Sequence, residues 1–422
     1  MEFKKKTLKN GLRIIVVPVK DAPSVTVMSL IEAGSKYETK DINGLSHFLE
    51  HVCSKGTKKR PRAIDIAKEF DAMGAQNNAF TSQEFTGYWA KAHPKHTEKM
   101  IEIIADMYLN PTFPAEDLER EKGVIIEEIN MYEDLPMRKV HEVWNELLYG
   151  NQPAGWPIIG PAKNIRSFTR DHFVNYRKRL YKSESTIIMV AGNVRSQDIF
   201  KKVGKYFKEV PVGKKERKLK VREEQAKPGL KIKQKKTDQT HLIIGVRTFG
   251  ADDKRTSTLK VLSTILGGGM SSRLFQKMRE ELGICYYVKS FADQLTDHGV
   301  LMITAGVDSK RVDQGIHGII GELKKIRDEK VGAMELRKAK DYLIGNMYLG
   351  LESSDALTEF YGLQEVLGKE MKNPKEQEKE IEKVTAVNIQ KLAKEIIRNN
   401  RLNMAIVGNY KDDKLFKKIL KV

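Results

Sequence analysis

The feature that most restricts this chain is a weak internal repeat. The stretch "TRDHFVNYRKRLYKSESTIIMVAGNVRSQDIFKKVGKYF", from Thr169, aligns without gaps with "TAVNIQKLAKEIIRNNRLNMAIVGNYKDDKLFKKIL", from Thr385, at an offset of 216. Gly192-Asn193 matches Gly408-Asn409, and Phe200-Lys201-Lys202 matches Phe416-Lys417-Lys418. Each copy reads helix, apolar strand ("TIIMVAGN", "LNMAIVGN"), helix. Self-similarity of this kind points to a duplicated domain. The 422 residues then divide into an N-terminal domain 1–210, a linker 211–229 and a C-terminal domain 230–422, each domain of ordinary size. The linker, "PVGKKERKLKVREEQAKPG", is charged, has prolines near its ends and lacks apolar periodicity. Each half opens with strand-like segments, "GLRIIVVPV" and "SVTVMSLIEAG" in the first, "LKIKQKK" and "THLIIGVRTF" in the second. Longer helical patterns come after them, such as "STLKVLSTIL" and "AMELRKAKDYLIGNMYLGLE". The fold class is α+β, two similar sheet-plus-helices domains.

Composition narrows the function classes. The formal net charge of +19 raises nucleic acid, an anionic membrane surface or acidic substrates as partners. The excess is lysine spread along the chain, as in "MEFKKKTLKN", "GTKKRPR" and "LFKKILKV". No basic stretch carries interleaved aromatic residues of the kind that stack bases, so a nucleic-acid partner is not expected. Two cysteines, Cys53 and Cys285, argue against a disulfide framework and suit a reducing compartment. The apolar run "IIVV" near the start is too short for a signal peptide and reads as a strand. No stretch approaches the length of a membrane-spanning helix. The expectation is a soluble, cytoplasmic protein that does not enter membranes.

The chemistry-bearing segment is "HFLEH", residues 47–51. On a helix at about 100° per residue, His47 at 0°, Glu50 at about 300° and His51 at about 40° share one face. Two imidazoles four apart reach one zinc; three protein ligands plus water make a catalytic site, with Glu50 placed to take a proton. Asp41 or Asn43 is placed to cap this helix. An exposed polar face shows the same pattern, so the motif needs a third ligand on a second helix. The candidate is "AEDLEREKGVIIEEINMYEDLP", 115–136, whose apolar positions Leu118, Val124, Ile125 and Ile129 fit a packed helix. Glu121 and Glu128, seven apart, lie on one side two turns apart. Spacing alone leaves Glu121, Glu127 and Glu128 open as ligands.

H-x-x-E-H is the inverzincin signature, and the chain resembles the pitrilysin and insulinase-type zinc metallopeptidases, nearest to their short, processing-peptidase-like branch. Glu121 and Glu128 match that family's E-x(6)-E pattern. The resemblance implies one zinc per chain held by His47, His51 and Glu128, with Glu50 as general base and Glu121 steadying a ligating histidine. "GAQNNAFTSQEFTGYWAKA", 74–92, is similar to the family's strand beside the metal, with Asn78, Ala79 and Thr81 matching its N-A-x-T pattern. An extended peptide would add to the edge of this strand. "GGGMSSRLFQKMREELGICYYV", 267–288, is similar to the segment whose arginine and tyrosine face the cleft, here Arg279 and Tyr286. These two imply substrate binding, with Tyr286 also stabilising oxyanion charge. The second half has His241, His298 and His317 but no H-x-x-E-H, so it carries no second zinc site. Cys53-Ser54 departs from the larger apolar residues of relatives. Cys53, about 120° from His47 on the helix, reads as packed or partly exposed and not as a ligand. His93 and His96, with Pro94 between them, suit a polar surface.

The resemblance implies a zinc endopeptidase acting on peptides or unstructured, presequence-like segments, with Glu50 activating a metal-held water. The alternative is a non-catalytic structural or partner subunit, since the family includes silent members. The family's enclosed chamber implies that this chain supplies one clam-like half, paired in a homodimer or with a related subunit. The ligand set also accepts manganese or cobalt.

Overall fold

The computed structural model describes residues 2–422. The first sheet comprises β1 (Lys4–Thr7), β2 (Arg13–Pro18), β3 (Val25–Ile31), β4 (Gln76–Thr81), β5 (Thr86–Ala92) and β6 (Thr186–Gly192), in the order β1-β2-β6-β3-β5-β4. The second comprises β7 (Gly229–Gln234), β8 (Gln239–Arg247), β9 (Cys285–Gln294), β10 (Gly299–Asp308) and β11 (Leu402–Gly408), in the order β7-β11-β8-β10-β9. β2 runs parallel to β6, and the other neighbours in the first sheet are antiparallel. β7 runs parallel to β11, and the other neighbours in the second are antiparallel. With β1 set aside, the two sheets share one connectivity. β6 and β11 start 216 residues apart (402 − 186), the offset of the sequence repeat.

The chain packs as two compact units. One gathers Met1–Asn130, Trp156–Leu219 and Gly350–Asn373; the other gathers Met131–Gly155, Lys220–Leu349 and Pro374–Val422. A single boundary at 211–229 does not describe this packing, because the chain changes unit five times. The physical reason lies in the central strands. All seven residues of β3, VTVMSLI, are buried, as are all seven of β6. Strands without polar–apolar alternation need cover on both faces. After α1 (Leu45–Val52) and α2 (Ala63–Ala72), helix α3 (Thr97–Leu109) packs on β3 and β5. The other cover is the helix Ser354–Val366 from the far end of the sequence, which packs on β3 and β6. Thr26 and Ser354 hydroxyls meet there at 2.8 Å, and Glu365 pairs with Arg13 at 3.0 Å.

The second unit has the reciprocal arrangement. After α4 (Ala115–Asp134), helix α5 (Pro136–Tyr149) packs on β11, β7 and β8. Its Val140, Val143, Trp144 and Leu148 cluster with Ile243, Val300, Met302, Ala405 and Val407. The alternate residues Leu242, Ile244, Leu301, Ile303, Met404 and Ile406 enter the larger core under the helices Thr256–Gly267, Val312–Asp328 and Ala386–Ile396. Among the described residues no helix is long and apolar enough to cross a membrane.

Candidate metal centre

Helix α1 is oriented by its apolar side. Leu45, Phe48, Leu49 and Val52 are buried, and Phe48 meets the ring of Phe173 edge-on at 4.9 Å. Seating that face turns His47, Glu50 and His51 to the opposite strip, as their spacing predicts. Neither Asp41 nor Asn43 caps the helix. The first-turn amides are instead bonded by the buried carboxylate of Glu38, a contact for which the sequence gives no periodic signal.

Helix α4 supplies the acids. It buries Leu118, Glu121 and Ile125, while Val124, read as a core position, is exposed. Glu127 is exposed, and Glu128 is half-buried. Of the three carboxylates left open by spacing, Glu121 and Glu128 therefore meet α1. Glu128 Oε2 stands 3.6 Å from Nε2 of His47 and 3.6 Å from Nε2 of His51. One atom from each of these three residues falls within 4.8 Å of the others. The imidazole centroids are 4.7 Å apart.

The flanking contacts set protons and tautomers. Glu121 Oε1 bonds His51 Nδ1 at 2.9 Å, and its other oxygen pairs with Lys55 Nζ at 2.8 Å. Burial pushes the Glu121 carboxyl up, but His51 and Lys55 outweigh it and hold it below the ordinary carboxylate range. An ionised Glu121 only accepts, so His51 carries its proton on Nδ1 and turns the Nε2 lone pair toward Glu128. Burial also pulls the His51 pKa down, but the Glu121 bond and the charges of Glu50, Glu121 and Glu128 raise it overall. His47 is lowered to about 4 by burial and the neighbouring His51, so it is neutral, the state in which a metal takes histidine. Glu50 Oε2 accepts from Thr81 Oγ1 at 2.5 Å. Burial raises the Glu50 pKa while the Thr81 bond restrains the rise.

This donor set fits zinc. A separation of 3.6 Å is too long for a hydrogen bond. Two donors on one tetrahedral zinc, each about 2.0–2.1 Å from it, lie about 3.4 Å apart. Two imidazole nitrogens and a carboxylate converge at that spacing, and the nitrogen of His51 facing away is anchored by a carboxylate as ligating histidines usually are. His47 Nδ1 is buried without a hydrogen-bond partner among the described residues.

The remaining predicted residues are distributed over both units. Asn78 and Ala79 lie on β4, the terminal strand of its sheet, and line a cavity of about 260 Å³ with Glu50, His51, Lys55 and Trp89. Thr81, read as substrate-binding, turns its hydroxyl to Glu50. Arg279 and Tyr286 lie in the second unit and meet each other. Arg279 sits in a π-helical turn, Gln276–Glu281, bonds the Tyr286 carbonyl and stacks 4.8 Å from its ring. Tyr286 is exposed. Cys53 is buried and bonded by Tyr88 Oη at 3.4 Å. His93 accepts from the Lys95 amide. Lys55, which pairs with Glu121, and Glu38 are residues that sequence reading missed; Lys55 lies four residues after His51.

Comparison with known proteins places the chain in a family. Residues 14–162 match the model of the insulinase family, peptidase family M16, and residues 167–343 match the peptidase M16 inactive domain. A Bacillus subtilis protein named an uncharacterized zinc protease is 35% identical over 92% of this chain and 94% of its own length. One of the same description from Mycobacterium leprae is 31% identical over 99% of this chain and 94% of its own. In fold, the chain is similar to a protease from Helicobacter pylori, with TM-score 0.89 and 21% identity, covering 96% of this chain and 99% of that one. It is also similar to a Pseudomonas fluorescens structure described as a peptidase M16 inactive domain, with TM-score 0.90 and 17% identity, covering 97% and 99%. With two family models spanning most of its length and relatives aligned nearly end to end, the chain belongs to the insulinase family of metallopeptidases, peptidase family M16.

Proposed function

We propose that this protein is a zinc-dependent endopeptidase that hydrolyses peptides or unstructured, presequence-like segments. The observation that carries the reading is the convergence of His47, His51 and Glu128 beside the Glu50 carboxylate. His47, His51 and Glu128 would hold the metal. Bound zinc supplies Lewis acidity, making a water a nucleophile near neutral pH and polarising a carbonyl. Glu50 takes the proton released there and gives it to the departing amine nitrogen. Thr81 holds the Glu50 carboxylate in one rotamer. Glu121 fixes the ring of His51.

Substrate would be taken as an added strand on β4, whose outer edge has no strand neighbour among the described residues. Backbone pairing there selects extended chains over folded ones. Arg279 and Tyr286 are assigned to substrate binding. The working form is read as a homodimer or a dimer with a related subunit. Mixing Glu50→Gln chains with Arg279→Ala chains tests it: recovery of cleavage requires residues from two chains to serve one zinc.

The competing reading is a silent structural subunit. One structural neighbour is described as an inactive domain, a likeness of fold alone. The complete His47, His51, Glu128 and Glu50 set favours the enzyme. Purified wild type and Glu50→Gln are compared on a mixture of unstructured peptides, with bound zinc quantified. One zinc in each protein and cleavage by wild type alone supports the peptidase. Zinc without cleavage, with added relatives of the chain also inactive, favours the silent subunit.

A further inference from the structure

Helix α1 has eight residues and begins without a cap of its own, since its N-cap position is Gly44. Its leading amides converge on one carboxylate upstream. Glu38 Oε2 accepts from the Gly44 amide at 2.9 Å and from Asn43 Nδ2 at 3.0 Å. Oε1 accepts from the Ser46 amide at 2.6 Å and from Ser46 Oγ at 2.5 Å. Ser46 Oγ in turn stands 2.6 Å from Tyr176 Oη. Glu38 is 2% exposed, and no lysine or arginine pairs with it among the described residues. The amides at the positive end of α1 take the place of a cation.

An ionised carboxylate offers about four acceptor sites and no donor. All four are used here, so any neutral replacement sets a donor against donors. Burial raises this carboxyl's pKa and its bonds to Ser46, Gly44 and Asn43 oppose the rise, leaving it at about 7. The usual alternative, a serine or aspartate at the N-cap, is sterically closed. Gly44 has φ 101, and a Cβ there would lie 2.7 Å from the Ile159 carbonyl oxygen. The cap has moved to a residue that reaches in from the preceding turn.

What this cap holds is the start of the helix that carries His47, Glu50 and His51. Ser46 takes two of the four bonds and is the neighbour of His47. The apolar face of α1 sets which strip carries His47, Glu50 and His51, and the bonds of the Gly44 and Ser46 amides to Glu38 hold its first turn at one height along the helix axis. We propose that Glu38 is a positioning residue of the metal centre: by gripping the Gly44 and Ser46 amides it fixes the axial position of the start of α1, so that His47 and His51 meet Glu128. This inference rests on the reading of those three residues as metal ligands.

The test uses the full chain and two variants, Glu38→Gln and the milder Ser46→Ala. Tyr108→Phe is the control, because it removes a buried hydroxyl contact of 2.7 Å to Thr186 in the same unit and touches neither Glu38 nor the first turn of α1. Zinc affinity is measured by chelator competition, ligand geometry by the visible spectrum of the cobalt-loaded protein, and folding by the melting temperature of the metal-free chain. Residues supporting metal ligands typically govern about 10–100-fold in affinity. Glu38→Gln is expected to lose that much and Ser46→Ala roughly threefold or more, both with an altered cobalt spectrum. Tyr108→Phe is expected to melt lower with affinity and spectrum unchanged. A Glu38→Gln protein that binds zinc within twofold of wild type with the same cobalt spectrum overturns the proposal, whatever its melting temperature. If Glu38→Gln does not fold, an unchanged Ser46→Ala overturns it. A wild type that binds no zinc overturns the metal reading itself, and this inference with it.

Discussion

Replacing Glu121 by glutamine changes one atom and reverses the polarity of one side of the site. In the native protein its two oxygens serve two cations or donors, His51 Nδ1 at 2.9 Å and Lys55 Nζ at 2.8 Å. A glutamine keeps one acceptor. If it serves His51, its amide NH2 faces the Lys55 ammonium; if it serves Lys55, two donors meet at His51. One charge-assisted bond is lost in either case, and such bonds contribute about 1.5–3 kcal/mol. Carried into the metal-bound state, that is roughly 10–100-fold in zinc affinity. Removing the opposing charge with Lys55→Met lets the glutamine turn its oxygen to His51, so the double variant regains part of the loss. The assay is competition with a chromophoric chelator near pH ~8. Alkaline conditions matter because the His51 pKa is raised partly by Glu121; the variant lowers it, which favours metal in acid and would mask the loss. A Glu121→Gln affinity within about threefold of wild type, or a double variant weaker than the single, refutes the assignment of Glu121 as the anchor of His51.

Three further outcomes rest on the same geometry. Thr81→Val removes the bond that restrains the Glu50 pKa, so kcat falls roughly tenfold and the acid limb of the kcat/KM profile moves to higher pH; an unmoved limb denies Thr81 this part. Arg60 is buried among Glu69, Glu102 and Asp106 at 2.6–2.8 Å, and Arg60→Met removes the buried cation they share, leaving Lys59 and Lys99 on Glu102 and Lys99 on Glu69, at a cost of about 3 kcal/mol by denaturant unfolding. Burial raises Glu102, but Arg60, Lys59 and Lys99 outweigh it and depress its pKa to about 2. Its contribution is therefore complete above the ordinary carboxylate pKa of about 4.5 and lost as pH falls toward about 2; acid unfolding of Arg60→Met begins at higher pH. Gly44→Ala forces a Cβ onto the Ile159 carbonyl at φ 101 and costs more than about 1 kcal/mol, checked by the same unfolding; a neutral result means the turn relaxes freely.

Local periodicity settled what lies on one element. The i, i+3, i+4 spacing of His47, Glu50 and His51 places them on one side of α1 wherever that helix packs. The seven-residue step does the same for Glu121 and Glu128. The repeat at an offset of 216 carried the duplicated sheet connectivity, because β6 and β11 are equivalent central strands with equivalent apolar runs. Which carboxylate met the histidines was named by family resemblance and not by spacing, since Glu121, Glu127 and Glu128 are adjacent choices until α4 has a buried side.

Tertiary structure alone decided who covers whom. The helix Ser354–Val366 covers the first sheet and α5 covers the second, so each unit borrows from the distant half of the sequence. Strands buried on both faces show that two covers are needed, but an amphipathic helix does not state which sheet it will meet. The same holds at the site. Glu38, Thr81 and Lys55 find their partners through packing and not through any repeat. A hydrophobic period fixes the direction a side chain takes from its own backbone. What stands opposite is fixed by the distances at which separate elements come to rest, and those depend on the volumes of every residue between them.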